Sequence, residues 1–196
     1  KNENRYILGD PLHSKPVAIT YNAPDPNHPG SDVSVFMATN GGAIHAISAT
    51  DGQETFAFMP KDLLHRQVAL RKNNSSQSHI YGIDGSITAW TFDKGNNGIT
   101  PASGDYVRLY AGMRRGGRDI YALDATNRSS PKFMWQISGG ADAGFEELGQ
   151  TWSRPVKGRV KIDGEEPRDV LFFAGGYDPD KDSYSLKTVD SKGRAV

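Results

Sequence analysis

An acidic run near the end of the sequence has the residue types and spacing best suited to chemistry. Aspartates alternate in Asp178-Pro179-Asp180-Lys181-Asp182, as do the first side-chain ligands of an EF-hand-like calcium loop. Calcium takes about six to eight oxygen ligands, and alternating carboxylates on a turning loop can converge on one ion. However, Ser183 replaces the glycine of such a loop and Val189 its bidentate glutamate, and an aspartate follows one residue late. Two interpretations stay open, a solvated acidic loop or a calcium site formed by Asp178, Asp180, Asp182 and Asp190.

The other charged clusters favour structural roles. Asp142, Glu146 and Glu147 match no metal-binding loop and indicate a surface turn. The stretch Arg114-Arg115-Gly116-Gly117-Arg118 has the composition of an RNA-binding arginine–glycine segment. It falls where Asn40-Gly41-Gly42 falls in an earlier repeat, so it predicts a hairpin turn with solvated arginines. An adhesive contact of these arginines with anionic glycans stays open.

Histidine, serine and tryptophan give no sign of catalysis. Ser14 beside His13 belongs to a repeated motif and lacks the surroundings of a nucleophile elbow. The histidines lack metal-ligand spacing such as H-x-x-x-H, and the tryptophans lie at or near strand positions, which predicts packing between units. The histidines are His13, His28, His45, His65 and His79, and the tryptophans are Trp90, Trp135 and Trp152. We therefore expect no catalytic and no organic-cofactor-binding residues.

Composition excludes several classes of function. The 196 residues contain no cysteine, which removes thiol catalysis, cysteine-based zinc sites and disulfides. Lysine plus arginine and aspartate plus glutamate each number 23, so no net charge recruits nucleic acid or an anionic membrane. No apolar run reaches the roughly 18 to 20 residues that span a bilayer. The 22 glycines and 11 prolines suit many short strands joined by turns.

A sequence pattern that occurs three times predicts where these residues lie in the fold. The units open at Ser14-Lys15-Pro16-Val17, Gly85-Ser86-Ile87-Thr88 and Ser153-Arg154-Pro155-Val156. In each unit a short apolar strand follows and ends in alanine, at Ala38, Ala111 and Ala174. Self-similarity at a period of about 70 residues is typical of radial β-arrays. Alternating strands and glycine-rich turns then predict four antiparallel strands per unit.

We therefore predict an all-β fold, a β-propeller with about three blades of four antiparallel strands, forming a single partial domain. The first blade would span about 10–60, the second about 80–140 and the incomplete third about 148–196, with a connecting helix or loop over 61–79. The third pattern breaks off where its next strand should begin, at Ala195-Val196. We accordingly expect a segment of a longer protein, or open faces covered by a partner or a second copy.

With the repeat laid out, the chain resembles the β-propeller domain of the PilY/PilC family of type IV pilus biogenesis and tip-adhesin proteins. The similarity covers nearly the whole chain in the family's order, and it departs at Ile87, where the family usually has proline. The matching stretches are LGDPLHSKPV at 8–17, FMATNGGAIHA at 36–46, YGIDGS at 81–86, GGRDIYALDAT at 116–126, LGQTWSRPV at 148–156 and GGYD at 175–178.

This resemblance implies an exported, non-enzymatic module at the cell surface, near the pilus tip or outer membrane. Such a module would promote pilus extension, contact pilin-like or other pilus components and the remaining blades of its parent protein, and bind host or abiotic surfaces. The family also carries calcium sites, which makes calcium the implied cofactor of the acidic loop. Neither nucleic acid nor a transmembrane segment is expected.

Two alternative functions stay open. Quinone-dependent dehydrogenases also repeat turns like Asp124-Ala125-Thr126, but typical members use an adjacent cysteine pair, and this chain has none. The second alternative is a purely structural scaffold that presents its loops to other pilus components. It differs from an adhesin only in what those loops touch.

Overall fold

The computed structural model describes residues 8–22, 32–72, 74, 78–183 and 189–194. Its first sheet is an antiparallel meander in sequence order. The strands are β1 (Val17–Tyr21), β2 (Asp32–Ala38), β3 (Ile44–Ser48) and β4 (Glu54–Phe58). Alternate side chains of β1 and β2 are buried, at Ile19 and Tyr21 in β1 and at Ser34, Phe36 and Ala38 in β2, and the positions between them are more exposed.

A short helical segment connects the first two sheets, as the apolar spacing of 62–70 predicts. A 3₁₀-helical turn over Lys61–Arg66 leads into helix α1 (Gln67–Lys72). Leu63 is buried against the core, whereas Leu64 and Val68 face outward. No helix in the described ranges is long and apolar enough to cross a membrane.

The second sheet repeats the meander of the first. Its strands are β5 (Ile87–Phe92), β6 (Tyr106–Gly112), β7 (Ile120–Asp124) and β8 (Lys132–Ile137). Short 3₁₀-helical turns over Pro101–Ser103 and Arg114–Gly116 follow β5 and β6. The third sheet has two strands among the described residues, β9 (Val156–Val160) and β10 (Arg168–Phe172), and a 3₁₀-helical turn over Pro179–Asp182 comes after it. The predicted strand start at Ala195-Val196 lies outside the described residues.

The serine that opens two of the repeats has the same structural role in both. Backbone N–H groups at the ends of the second strands donate to it, from Ala38 to Ser14 Oγ at 3.3 Å and from Ala174 to Ser153 Oγ at 2.9 Å. These bonds tie each opening motif to the last residue of β2 and to the segment two residues beyond β10. The repeat is therefore a repeat of contacts as well as of sequence.

One apolar core joins the first and second sheets. Polar contacts reinforce it at its edge, where Tyr21 donates to the Ala125 carbonyl at 2.7 Å and Arg128 contacts both Ser34 and Asp32 at 2.9 Å. The core residues include Ile19, Phe36, Ile44, Leu63, Ile83, Ile87, Val107, Leu109, Tyr121 and Leu123. In the third sheet Val156 and Phe172 are more than half exposed, at 58% and 53%. The core therefore positions the first two units, and the third lies at its margin.

The all-β, antiparallel part of the fold prediction is confirmed, but the prediction of a β-propeller was wrong. The described strands form three separate sheets, of four, four and two strands, in place of a radial series of four-stranded blades. An internal repeat predicts local strands and turns, because these follow from alternation and turn residues. It does not determine how the resulting sheets pack, because packing depends on contacts between faces that are distant in sequence.

The pairing register also differs from the one that the repeats suggest. Matching the alanines that end the second strands aligns Ala38 with Ala111, yet Ile44 pairs with Ala38 while Ile120 pairs with Gly112. The two units are therefore offset by one residue. Because directly paired residues share a face of the sheet, Ala38 shares the core face with Ile44, whereas Ala111 shares it with Tyr121, the residue after Ile120.

Candidate functional site at the loop after the third sheet

Asp178 is the first of the predicted calcium ligands, and it caps its own loop. Its buried carboxylate accepts hydrogen bonds from the backbone of Asp180 (3.1 Å), Ser191 (2.8 Å) and Lys192 (3.3 Å), and from the Ser191 hydroxyl (3.1 Å). These hydrogen bonds lower the pKa of Asp178 to about 2, and the one from the Ser191 backbone N–H has the largest effect. This carboxylate therefore holds the two ends of the 178–192 loop together.

Two of the other three predicted ligands contact different partners, and the third is exposed. Asp182 accepts from Arg115 Nη1 at 2.8 Å and from the Tyr177 hydroxyl at 2.8 Å. Asp190 lies 3.1 Å from Lys181 Nζ, and Asp180 is exposed. The four carboxylates lie near one another in the chain, but the oxygens of Asp178, Asp182 and Asp190 contact N–H and O–H donors.

This donor pattern does not fit a calcium ion as the loop stands, because a cation needs several carboxylate oxygens turned to one point. Within the described residues no group of three or more histidine and acidic side chains is arranged to hold a metal. Calcium binding by Asp178, Asp180, Asp182 and Asp190 stays a prediction.

Beside Asp182 lie four side chains that we call the Arg-aromatic cluster, defined as Arg114, Arg115, Trp152 and Tyr177. The guanidinium carbons of Arg114 and Arg115 lie 4.4 and 5.2 Å from the centre of the Trp152 ring. The Tyr177 ring centroid is 5.1 Å from that of Trp152. Cations over an indole face are attracted by its quadrupole, so the Trp152 ring favours both guanidinium groups at these positions.

Backbone contacts between the second and third units position this cluster. The backbone N–H of Arg114 donates to the Thr151 carbonyl at 3.2 Å, and that of Met113 donates to Thr151 Oγ1 at 2.8 Å. Gln150 and Tyr177 exchange backbone hydrogen bonds of 2.8 and 2.9 Å. Arg114 has a φ of 50°, a conformation that a non-glycine residue adopts only when its surroundings hold it there.

A buried carboxylate lies behind the cluster and links it to the first unit. The Asp84 side chain is fully buried and contacts His13 Nδ1 at 2.8 Å, Asn40 Nδ2 at 3.2 Å and Arg114 Nη1 at 3.4 Å. Asn40 also donates to Asp10 at 2.8 Å. Every polar atom of this network that is buried has a partner, as buried polar groups require.

The electrostatics of the cluster match its geometry. The Arg115 guanidinium, followed by the Tyr177 hydroxyl, lowers the pKa of the Asp182 carboxyl. The hydrogen bond to Asp182 in turn raises the pKa of the Tyr177 phenol. The cluster therefore recognises a carboxylate with one charged and one neutral donor. It contains no nucleophile–base pair.

Sequence reasoning missed this arrangement. It predicted a turn at 114–118, which the structure contains, but solvated arginines, which was wrong. Arg115 binds Asp182, and Arg118 donates to the Glu146 carbonyl at 2.8 Å and to that of Leu148. The repeat does mark the position of the cluster: Asn40 and Arg114 each lie two residues after the second strand of their unit. The corresponding loop of the third unit carries Tyr177.

The acidic residues at 142–147 and the tryptophans Trp90 and Trp135 make structural contacts. Glu147 pairs with Arg194, and Asp142 caps the turn at Ser138, which is consistent with the predicted surface turn. Trp135 packs on Tyr110, and Lys157 lies 5.9 Å from the centre of the Trp90 ring. Trp152, at 37% exposure, is instead part of the Arg-aromatic cluster.

The sequence of this chain is similar to those of several known proteins. No protein-family model matches it. It is 27% identical over 212 residues to the type IV pilus biogenesis factor PilY1 of Pseudomonas aeruginosa strain PAO1, covering 97% of this chain and 17% of that protein. It is 31% identical over 122 residues to a PilY1 homolog of Xylella fastidiosa strain Temecula1, covering 62% of this chain and 9% of that protein. The resemblance to the PilY/PilC family is therefore confirmed.

A solved structure agrees on the fold. The crystal structure of the P. aeruginosa PilY1 C-terminal domain matches 77% of this chain with a TM-score of 0.50 and 24% identity, and the match covers 26% of that domain's chain. At this identity the likeness shows the fold alone. The chain spans 17% of the length of the P. aeruginosa PilY1 proteins, and its match covers 9% of the X. fastidiosa homolog.

Proposed function

We propose that this chain is a non-enzymatic segment of a type IV pilus biogenesis factor and acts at the cell envelope or on the pilus. The observation that carries the proposal is the similarity to PilY1 proteins over 97% of the chain. The described residues also offer what a binding segment needs, which is a shared rigid core and a cluster of arginine and aromatic side chains at the surface. Arginine, tryptophan and tyrosine dominate protein-binding hot spots.

A domain-exchange experiment tests this proposal. In a P. aeruginosa strain that lacks PilY1, the matching segment of PilY1 is replaced by this chain, and surface pili and twitching motility are measured. We expect the chimera to restore both, because the segment would supply the same contacts to pilus components. A chimera with Phe36→Ala, which removes a fully buried core side chain, serves as the control and should fail.

The outcome depends on the chimera being present. Immunoblots of the envelope fraction establish its level and export before pili are counted. A stable, exported chimera that leaves the strain without pili would contradict the proposal. Restored twitching by a Phe36→Ala chimera whose segment is shown by limited proteolysis to be unfolded would mean that the segment is dispensable, which also contradicts the proposal.

Adhesion to host or abiotic surfaces and regulation by calcium are finer parts of the same proposal. They derive from the family resemblance and from the acidic loop at 178–190. Calorimetric titration of calcium into the chain and into Asp180→Ala tests the metal. A saturable heat that the substitution weakens supports the site, and equal heats near zero for both proteins exclude it.

A further inference from the structure

The contact between Asp182 and the Arg-aromatic cluster has the form of a bound ligand. The carboxylate meets Arg115 with both oxygens, at 2.8 Å from Nη1 and 3.5 Å from Nη2, and also accepts from Tyr177 at 2.8 Å. A planar guanidinium fork is the side chain best matched to a carboxylate. The partners are 67 residues apart in sequence, so the tertiary structure, and no local turn, brings them together.

The binding groups are held in place without Asp182. The Arg115 guanidinium carbon lies 5.2 Å from the centre of the Trp152 ring, Trp152 donates its indole N–H to Gln150 at 3.0 Å, and Tyr177 exchanges backbone hydrogen bonds with Gln150. Preorganised groups lose little freedom when a ligand arrives. The site therefore persists if the Asp182 carboxylate leaves.

The contact is also open to exchange. The side chains of Arg115 and Asp182 are 33% and 46% exposed, and Trp152 is 37% exposed. Ion pairs at such exposure add little to stability, so a second carboxylate can compete for Arg115 from solvent. Asp182 holds its place mainly because it is tethered to the same chain.

We propose that the Arg-aromatic cluster is a binding site for an acidic segment of a partner protein, and that Asp182 occupies it as a tethered competitor. We infer an acidic ligand because the group that occupies the site is an aspartate, which lies in the short proline-containing turn Pro179–Asp182. This inference goes beyond the proposed function, and it requires neither pilus assembly nor calcium.

The test measures binding of a capped peptide with the sequence of residues 179–183 to the whole chain, in buffer containing EGTA. Binding is followed by NMR shifts of the Trp152 indole N–H. An ion pair this exposed closes with an equilibrium constant of only a few, so loss of the competitor in Asp182→Ala should tighten peptide binding by roughly two- to six-fold relative to the unchanged chain. Asp182→Asn, which keeps the size but removes the charge, should behave like Asp182→Ala.

Matched controls separate the site from general charge effects. Asp190→Ala removes a neighbouring exposed carboxylate that pairs with Lys181, and it should leave the peptide affinity unchanged. Arg115→Ala combined with Asp182→Ala should abolish saturable binding, as should replacing the last aspartate of the peptide with asparagine. Circular dichroism and melting temperature establish that each variant is folded.

The proposal is overturned if Asp182→Ala and the unchanged chain bind the peptide equally, or if binding survives the loss of Arg115. Tighter binding of sialyllactose than of the peptide would also overturn it, because the ligand would then be a carbohydrate acid. None of these results bears on whether the chimera assembles pili, so the two proposals fail independently.

Discussion

Substituting the buried Asp84 should destabilise the chain more than any exposed aspartate does. Asp84→Ala removes the common acceptor of His13, Asn40 and Arg114. Breaking a buried charged network by removing one partner costs about 3 to 5 kcal/mol. The lower end applies here, because His13 and Arg114 can be partly resolvated and Asn40 keeps Asp10. We therefore expect a loss of about 3 kcal/mol in the free energy of unfolding.

The loss should be visible in thermal and urea unfolding. Unfolding entropy is about 2.1 cal/mol/K per residue, and the chain has 196 residues. The product is about 0.4 kcal/mol/K, so a loss of about 3 kcal/mol lowers the melting temperature by about 7 °C. Asp84→Asn keeps one acceptor for the Asn40 amide and should lose only about 1 to 2 kcal/mol.

Asp163→Ala is the matched control, because Asp163 is an exposed aspartate in the turn between β9 and β10. It should change the unfolding free energy by less than about 0.5 kcal/mol. If Asp84→Ala also costs less than about 1 kcal/mol, the network does not join the first two units as argued. The assignment of Asp84 as the link between His13, Asn40 and Arg114 would then have to be abandoned.

Three further predictions concern the core, a close backbone contact and acid stability. Phe36→Ala should cost about 3 to 5 kcal/mol in urea unfolding because Phe36 is fully buried, whereas Phe92→Ala, at a site 46% exposed, should cost much less. Gly116→Ala should lower the melting temperature sharply, since a β-carbon at Gly116 would lie 1.7 Å from the Gly82 carbonyl oxygen. An unchanged melting temperature would refute this close contact between the two backbones. The pKa of Asp178 falls from 3.8 to about 2 on folding, so its contribution is present above about pH 4 and is lost as the pH falls towards 2. Asp178→Asn should therefore lose less stability than the unchanged chain between about pH 5 and about pH 2.5, and equal losses would contradict this linkage.

Much of the local structure follows from the sequence. The short apolar strand predicted to end at Ala111 is observed as β6, Tyr106–Gly112, because its apolar run is bounded by a glycine-rich loop on one side and an arginine–glycine turn on the other. Asn40-Gly41-Gly42 predicts the hairpin between β2 and β3, and Gly42 adopts a φ of 92°, which glycine tolerates at little cost. These signals depend on neighbouring residues, so one sequence suffices to read them.

The pairing register between strands is harder to predict from the sequence. Matching Ala38 with Ala111 gives the right strands but misses the one-residue offset that pairs Ile120 with Gly112. The turn after β6 is longer than the turn after β2, and the geometry of a turn sets which residues face each other. A repeat aligned by its alanines carries no information about that geometry.

The sequence by itself determined that this protein is built from short antiparallel strands arranged in repeated units, because alternation and turn residues act over a few positions. Only the tertiary structure decided that these strands form three separate sheets and that Arg115 and Asp182 meet. Predicted separately as a solvated turn and an acidic loop, these two residues lie in different units. They come together because Thr151 holds the Arg114 turn while Gln150 holds Tyr177 beside it, and such long-range backbone contacts are invisible to any local pattern.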